Sequence, residues 1–149
     1  MIEYHKGDCL ENITRPTIIA HVTNDMGGWG AGFSGALSRK WEGPERYYRT
    51  TRRHQLGENG YVFVEQLPRV AVCNMCAQHS YASRVDPVAV DYVALEECLA
   101  NLFRRAAKEG LEVRMPKIGA GLGGGNWDEI SRIINSVSGD VVWHVYTLE

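Results

Sequence analysis

The feature that most constrains the fold is a glycine-rich segment, residues 119–125, that lies between an apolar strand pattern and a helical pattern. Five of its seven residues are glycine. Glycine has no Cβ and tolerates positive φ, so backbone N–H groups can turn toward a bound anion. The N-terminus of the following helix adds further unpaired N–H donors. The segment therefore predicts an anion-binding loop.

A second glycine-rich segment, residues 27–35, follows the apolar run at residues 17–23. It also precedes a helical pattern, in which Phe33, Leu37 and Trp41 recur at helical spacing. Two loops of this kind that face each other are expected to hold a diphosphate or a phosphorylated sugar. The alternative is that both segments are ordinary surface turns.

The composition indicates one domain spanning residues 1–149. The share of hydrophobic residues, 44%, is sufficient for a core, and the net charge of −2 provides no long-range field for nucleic acid. The N-terminal residues do not resemble a secretory signal, and no apolar run reaches the length of a membrane span. We therefore expect a soluble, cytoplasmic monomer without a membrane or nucleic-acid partner.

Strand and helix patterns alternate along the chain, which predicts an α/β fold with a mixed, mostly parallel sheet of about six strands in a three-layer α/β/α arrangement. Two neighbouring strands are expected to form a hairpin, and residues 75–91 are expected to form an irregular loop over the sheet. The predicted strands are 2–6, 17–23, 61–65, 69–74, 113–116 and 141–148, and the predicted helices lie within 33–41, 45–53, 95–106 and 127–137.

Two common nucleotide-binding motifs do not fit this chain. The pattern G-x-G-x-x-G occurs twice, beginning at Gly30 and at Gly119, but neither copy follows the first strand as a dinucleotide-binding domain requires. The chain contains no G-x-x-x-x-G-K-[ST] sequence, which disfavours an NTPase. Cys73 and Cys76 form a single C-x-x-C pair, which is weak evidence for a metal or redox site. We expect neither a cofactor nor a metal.

Three polar residues lie where ligands of open α/β sheets collect, at or near predicted strand ends. Asp8 follows the first strand, although a turn or capping role is an equal alternative. His21 interrupts the second strand, where a lone histidine is commonly a packed and hydrogen-bonded core residue. Asn24 marks the exit of that strand, where its amide can bind a hydroxyl group.

Four segments together resemble the macrodomain family, and the resemblance covers nearly the whole chain. These are residues 7–8, 18–24, 28–32 and 115–124. The pairing of a W-G-x-G loop with a late M-P-x-I-G-x-G-L loop is more specific than either glycine run alone. The chain is most similar to the branch of ADP-ribose 1″-phosphate phosphatases, which implies hydrolysis of that terminal phosphate to ADP-ribose and free phosphate.

The resemblance also implies a role for individual residues. Asp8 is expected to receive the adenine amino group, Asn24 to hold the distal ribose, and His21 to act in catalysis. Because histidine titrates near neutrality, His21 is expected to activate water or protonate the leaving oxygen. The residues expected to bind substrate are Asp8, Cys9, Asn24, Gly28, Trp29, Gly30, Ala31, Gly32, Phe33, Ile118, Gly119, Ala120, Gly121, Leu122, Gly123 and Gly124.

The chain departs from the related glycohydrolase branch at two positions. That branch places a nucleophilic lysine after the fourth strand and an aspartate in the late loop. Here residues 74–79 contain no lysine, and Gly123 stands at the aspartate position. Both departures argue against a mechanism with a lysine adduct. They leave the phosphatase reaction, water-mediated removal of ADP-ribose from a macromolecule, or binding of ADP-ribose without catalysis.

Overall fold

The computed structural model describes residues 1–30, 32–51, 54–65, 67–79, 88–120 and 123–148. In these ranges one six-stranded sheet is packed against four helices. The elements in chain order are β1 (Ile2–Lys6), β2 (Thr17–Asn24), α1 (Phe33–Lys40), α2 (Gly43–Thr50), β3 (Asn59–Phe63), β4 (Val70–Gln78), α3 (Tyr92–Glu109), β5 (Glu112–Pro116), α4 (Trp127–Val137) and β6 (Trp143–Thr147).

The sheet has the strand order β1-β6-β5-β2-β4-β3. Neighbouring strands are parallel throughout except β3, which runs antiparallel to β4. The predicted mixed and mostly parallel sheet is therefore confirmed, as is the predicted hairpin. Because β2 and β5 lie at the centre, the two glycine-rich loops that follow them leave the sheet at the same edge.

Helices cover both faces of the sheet and create two apolar clusters, so the three-layer α/β/α arrangement is confirmed. On one face α3 and α4 contribute Leu99 and Ile134, which pack with Trp143 of β6. On the other face Leu37 of α1 packs with Ile19 of β2. These five side chains are fully buried. Burial of β2 on both faces explains why its sequence is a continuous apolar run.

Two helix boundaries follow the local chemistry of the chain. The side chain of Asn126 accepts a hydrogen bond from the Glu129 N–H at 3.2 Å and so caps α4, as its spacing predicts. Helix α2 begins at Gly43 and Pro44, two residues earlier than predicted, because proline is well tolerated in the first helical turn. Within the described ranges, no helix is long and apolar enough to cross a membrane.

Strand β4 corrects the sequence prediction of an irregular segment after Asn74. The strand continues to Gln78, and all nine of its residues are buried. Asn74 is tolerated there because its side chain is hydrogen-bonded to His21 on the neighbouring strand. Gln78 then forms a bridge with Val90. The central part of the predicted loop, residues 80–87, lies outside the described residues.

Candidate functional site

A cavity of about 300 Å³ lies at the carboxyl ends of the central strands β2, β4 and β5. Ligands of open α/β sheets bind at this edge, where loops of neighbouring strands diverge. Both glycine-rich segments contribute to the walls of the cavity. The lining residues are His21, Val22, Thr23, Asn24, Gly28, Trp29, Gly32, Phe33, Ser34, Gln78, Pro116, Lys117, Ile118, Gly119 and Gly123.

Asn24 holds the first loop in shape. Its Oδ1 accepts hydrogen bonds from the N–H groups of Met26 and Gly28, both at 3.0 Å, and its Nδ2 donates to the Gly28 carbonyl at 3.0 Å. The Tyr48 hydroxyl also donates to the Asn24 carbonyl at 2.7 Å. Asn24 thus lines the cavity and organises it, which is a role that the sequence did not indicate. Its predicted contact with the distal ribose stays a prediction.

The indole of Trp29 forms one wall of the cavity and is fixed at both ends. Its Nε1 donates to Ser38 Oγ at 2.7 Å, and Ser38 in turn donates to Glu45 Oε1 at 2.8 Å. The Trp29 ring meets the His21 ring edge-on, with centroids 5.3 Å apart, and contacts the Tyr48 ring at 5.1 Å. This chain of contacts ties the wall to α1 and α2.

The N-terminus of α1 lies in the cavity wall. Its N-cap is Gly32, with φ of 61°, and Gly32, Phe33 and Ser34 all line the cavity. Among the described residues, no side chain caps this helix end. Such an end combines N–H donors with the partial positive charge of the helix dipole, and it is a common anion site.

The second loop is held by its own backbone and by the segment before α3. Gly119 has φ of 71°, which favours glycine, and its carbonyl accepts a hydrogen bond from the Gly125 N–H at 2.8 Å. The Gly123 carbonyl accepts hydrogen bonds from Ala89 at 2.8 Å and Val90 at 3.1 Å. These contacts fix the described ends of the loop against the sheet.

Gly123 occupies a position that has no room for a side chain. A Cβ built there would lie 2.7 Å from Gln78 Oε1 and 2.8 Å from the Gly119 carbonyl oxygen. In this chain's loop geometry any side chain at position 123 would clash, which gives a steric reason for glycine here. It is consistent with the departure from the glycohydrolase branch that the sequence shows.

His21 is almost completely buried, with 2% of its surface exposed, and it lines the cavity. Its Nε2 lies 2.5 Å from Asn74 Oδ1. Asn74 Nδ2 donates to the Pro44 carbonyl at 3.3 Å, which assigns the Asn74 oxygen to His21. His21 therefore carries its proton on Nε2 and leaves Nδ1 as the acceptor.

Burial lowers the pKa of His21 from 6.5 to about 4, and the hydrogen bond to Asn74 only partly opposes this effect. The expectation that this side chain titrates near neutrality is therefore wrong in this structure. The physical reason is desolvation, which penalises the charged imidazolium. At neutral pH the His21 ring is therefore neutral, with Nε2 as a donor and Nδ1 as an acceptor.

The lowered pKa predicts that the protein loses stability as the pH falls. Between pH 6.5 and 4 the unfolded chain binds a proton at His21 that the folded chain does not. The folded state therefore has its full stability with respect to His21 above pH 6.5 and loses part of it as the pH falls toward 4. We expect this effect to reduce the free energy of unfolding by up to about 3 kcal/mol at pH 4. Urea denaturation of the wild type and of His21→Gln at pH 7.5 and pH 4.5 measures it. Equal pH dependence in both proteins contradicts the assignment.

Several predicted binding residues lie away from the cavity lining. Asp8 is exposed, and its Oδ1 accepts a hydrogen bond from the Leu10 N–H at 2.9 Å, as in a turn. The Cys9 side chain is buried in the core cluster around Ile19 and is absent from the cavity lining, so its contact with a ligand stays a prediction. Three further predicted residues, Gly30, Ala120 and Gly124, are also absent from the lining, and Ala31, Gly121 and Leu122 lie outside the described residues.

Four lining residues with polar side chains were missed by the sequence prediction, namely Thr23, Ser34, Gln78 and Lys117. Lys117 lies in the M-P-K-I-G motif itself, and its charge next to an anion-binding loop was the available signal. Gln78 is the last residue of β4, and its place in the cavity became visible only once the strand was seen to continue past Asn74.

The C-x-x-C pair does not form a reactive site. Cys73 and Cys76 are both buried in β4, and burial raises the pKa of Cys76 to about 12 and that of Cys73 well above its usual value. The thiolate that binds metals or exchanges disulfides is therefore strongly disfavoured.

Comparisons with known proteins agree with this architecture. A macrodomain protein from Streptomyces coelicolor is 35% identical, with a TM-score of 0.81 over 99% of each chain. A Trypanosoma brucei macrodomain in complex with ADP is 20% identical, with a TM-score of 0.71 over 99% of this chain and 64% of that one, and shares the fold. An uncharacterized 17.5 kDa protein from the tk-vs intergenic region of Enterobacteria phage T4 is 27% identical over 147 residues, covering 93% of this chain and 90% of the phage protein.

No protein-family model matches the chain. The similarity to the Streptomyces protein nevertheless extends over the complete sheet, both glycine-rich segments and all four helices, since it covers 99% of this chain. The chain therefore belongs to the macrodomain family.

Proposed function

We propose that this protein binds ADP-ribose in the cavity between its two glycine-rich loops. The observation that carries the proposal is the convergence of both loops and the uncapped N-terminus of α1 on one cavity at the carboxyl ends of β2, β4 and β5. Backbone N–H groups and a helix dipole suit a diphosphate. The T. brucei macrodomain, which has the same fold, binds ADP, a fragment of ADP-ribose.

The charge of the cavity supports this choice of ligand. Among its described lining residues, Lys117 is the one cationic side chain, and none is acidic. An anionic ligand therefore meets no negatively charged side chain among these described lining residues. Trp29 and Phe33 add apolar surface against which a ribose or base can pack.

We further propose that the reaction is hydrolysis of the terminal phosphate of ADP-ribose 1″-phosphate, with His21 as the catalytic residue. A bound phosphate next to His21 raises the pKa of the imidazole, because a nearby negative charge favours the protonated form. Nδ1 then takes a proton from the attacking water, whose oxygen forms a bond to phosphorus. The bond between phosphorus and the sugar oxygen breaks, and the proton passes to that oxygen. The products are ADP-ribose and phosphate.

Phosphate release from ADP-ribose 1″-phosphate tests this reaction. Loss of general acid–base catalysis in His21→Gln is expected to slow turnover by at least about 100-fold. His54→Gln is the matched control, because His54 stacks on Tyr48 away from the cavity lining, and it is expected to retain wild-type turnover. Equal rates of phosphate release from the wild type and His21→Gln would show that His21 is not catalytic.

A second candidate reaction is removal of ADP-ribose from a modified macromolecule. The observation that favours it is Lys117, which lines the cavity and follows β5, a different strand from the one that the glycohydrolase branch uses. Its Nζ lies 5.8 Å from the centroid of the Trp127 ring, so the side chain must turn toward the distal ribose for its amine to react. Release of ADP-ribose from a modified protein by the wild type, lost in Lys117→Arg, would support this reaction. Binding of ADP-ribose with neither reaction would identify a non-catalytic reader.

A further inference from the structure

A cluster of three potential metal ligands lies on the sheet outside the cavity. Glu3 of β1 is in register with His144 of β6, and His5 lies two residues further along β1 on the same face. This face is opposite the one on which Trp143 and Val145 pack into the α3–α4 core cluster. We call Glu3, His5 and His144 the β1–β6 cluster.

The donor atoms of the β1–β6 cluster converge on one point. His5 Nε2 lies 2.8 Å from His144 Nδ1, and Glu3 Oε2 lies 3.4 Å from His144 Nδ1 and 3.9 Å from His5 Nε2. A triangle with these sides has a point about 2 Å from all three corners, which matches the distances at which zinc is held by histidine and glutamate. The four cysteines, which could also bind zinc, are all buried and lie outside this cluster.

The surroundings hold the rings in place. The His5 ring stacks on Tyr146, with centroids 4.8 Å apart. His144 Nε2, the nitrogen that points away from the cluster, lies 3.9 Å from Glu112 Oε2, so a carboxylate stands beyond hydrogen-bond distance on the far side of this ring. The nearby cation Arg114 is engaged elsewhere, because its guanidinium donates to the carbonyl groups of residues 9, 11 and 12.

We propose that the β1–β6 cluster binds a divalent transition-metal ion of the zinc type through Glu3 Oε2, His5 Nε2 and His144 Nδ1. Two imidazoles and one carboxylate form a ligand set that suits zinc and leaves a coordination position for water. The two rings now share one hydrogen bond, so one ring must move its proton to its far nitrogen when the ion binds. The number of bound protons is unchanged. The ion would tie the edge strand β1 to its neighbour β6, the last strand in chain order.

Titration of the metal-free full chain with ZnCl₂ tests the proposal, by calorimetry and by the rise in Tm that follows binding to the folded state. We expect one saturable site. His5→Gln and His144→Gln are expected to weaken zinc binding by at least about tenfold, since each removes a ligand. His79→Gln is the matched control, because His79 is a histidine next to a carboxylate outside the β1–β6 cluster, with Nδ1 3.0 Å from Asp25 Oδ1.

The outcomes separate a built site from general surface binding. Retention of wild-type zinc affinity in His79→Gln, with loss in both cluster variants, supports the proposal. Absence of saturable binding to the wild type overturns it, as does equal affinity of the wild type and His5→Gln. If His144→Gln fails to fold, zinc binding by His5→Gln and Glu3→Gln tests the proposal instead, because both positions are more exposed. Urea denaturation of these two variants without metal, compared with that of the wild type, shows whether they are folded.

Discussion

Replacement of Gly35 by alanine is expected to abolish measurable ADP-ribose binding while the domain still folds. Gly35 lies in α1, where alanine alone would stabilise the helix by up to about 1 kcal/mol. A steric clash outweighs this gain in helix stability, because a Cβ at Gly35 would lie 2.6 Å from the Gly30 carbonyl oxygen. That oxygen is backbone and must move, so the first loop shifts away from the cavity. We expect a net loss of about 1–3 kcal/mol in the free energy of unfolding.

Gly43→Ala is the matched control for this change. Gly43 also lies in the first turn of a helix, but a Cβ there meets only the Val62 Cγ1 methyl, at the ordinary contact distance of 3.4 Å. Its stability and its ADP-ribose affinity are expected to stay close to those of the wild type. Calorimetric titration and urea denaturation of both variants measure the difference. Wild-type affinity in Gly35→Ala would show that the first loop does not shape the binding site.

Introduction of the missing acid, Gly123→Asp, is expected to damage the protein rather than convert its chemistry. The new Cβ would overlap with Gln78 Oε1 and the Gly119 carbonyl oxygen, and the carboxylate would stand among these acceptors in a buried position. Overpacking together with an unpaired buried charge is expected to cost about 3 kcal/mol or more. ADP-ribose binding is expected to be lost as well, because the second loop must move.

Gly123→Ala separates the two causes, since it adds the Cβ without the charge. We expect a smaller loss of stability than in Gly123→Asp, and the difference between the two variants in urea denaturation measures the cost of the charge. Gain of ADP-ribosyl hydrolase activity in Gly123→Asp, with wild-type stability, would refute the steric explanation for glycine at this position.

Much of the fold could be predicted because local sequence and tertiary packing agree. The run at residues 17–23 is apolar because β2 is buried on both faces, and Gly110 ends α3 in a left-handed conformation. The end of β4 could not be predicted from its own sequence. Asn74 resembles a strand terminus until its partner, His21, is known, and that partner lies 53 residues away.

The parts of the site that glycine-rich loops form could be predicted from the sequence. The properties that depend on tertiary contacts could not. The two loops and His21 were found from the sequence and meet at one cavity. The lowered pKa of His21 was not predictable, because it depends on burial under Trp29 and Phe33. The β1–β6 cluster was invisible for the same reason, since His5 and His144 are 139 residues apart and meet only through the parallel pairing of the first and last strands.

A calorimetric titration of the protein with ADP-ribose tests the central claim most directly. The account predicts one saturable site on the wild type, with affinity retained in Gly43→Ala and lost in Gly35→Ala. Absence of saturable binding to the wild type, or equal affinity in all three proteins, would contradict the assignment of the cavity between the two glycine-rich loops as an ADP-ribose site.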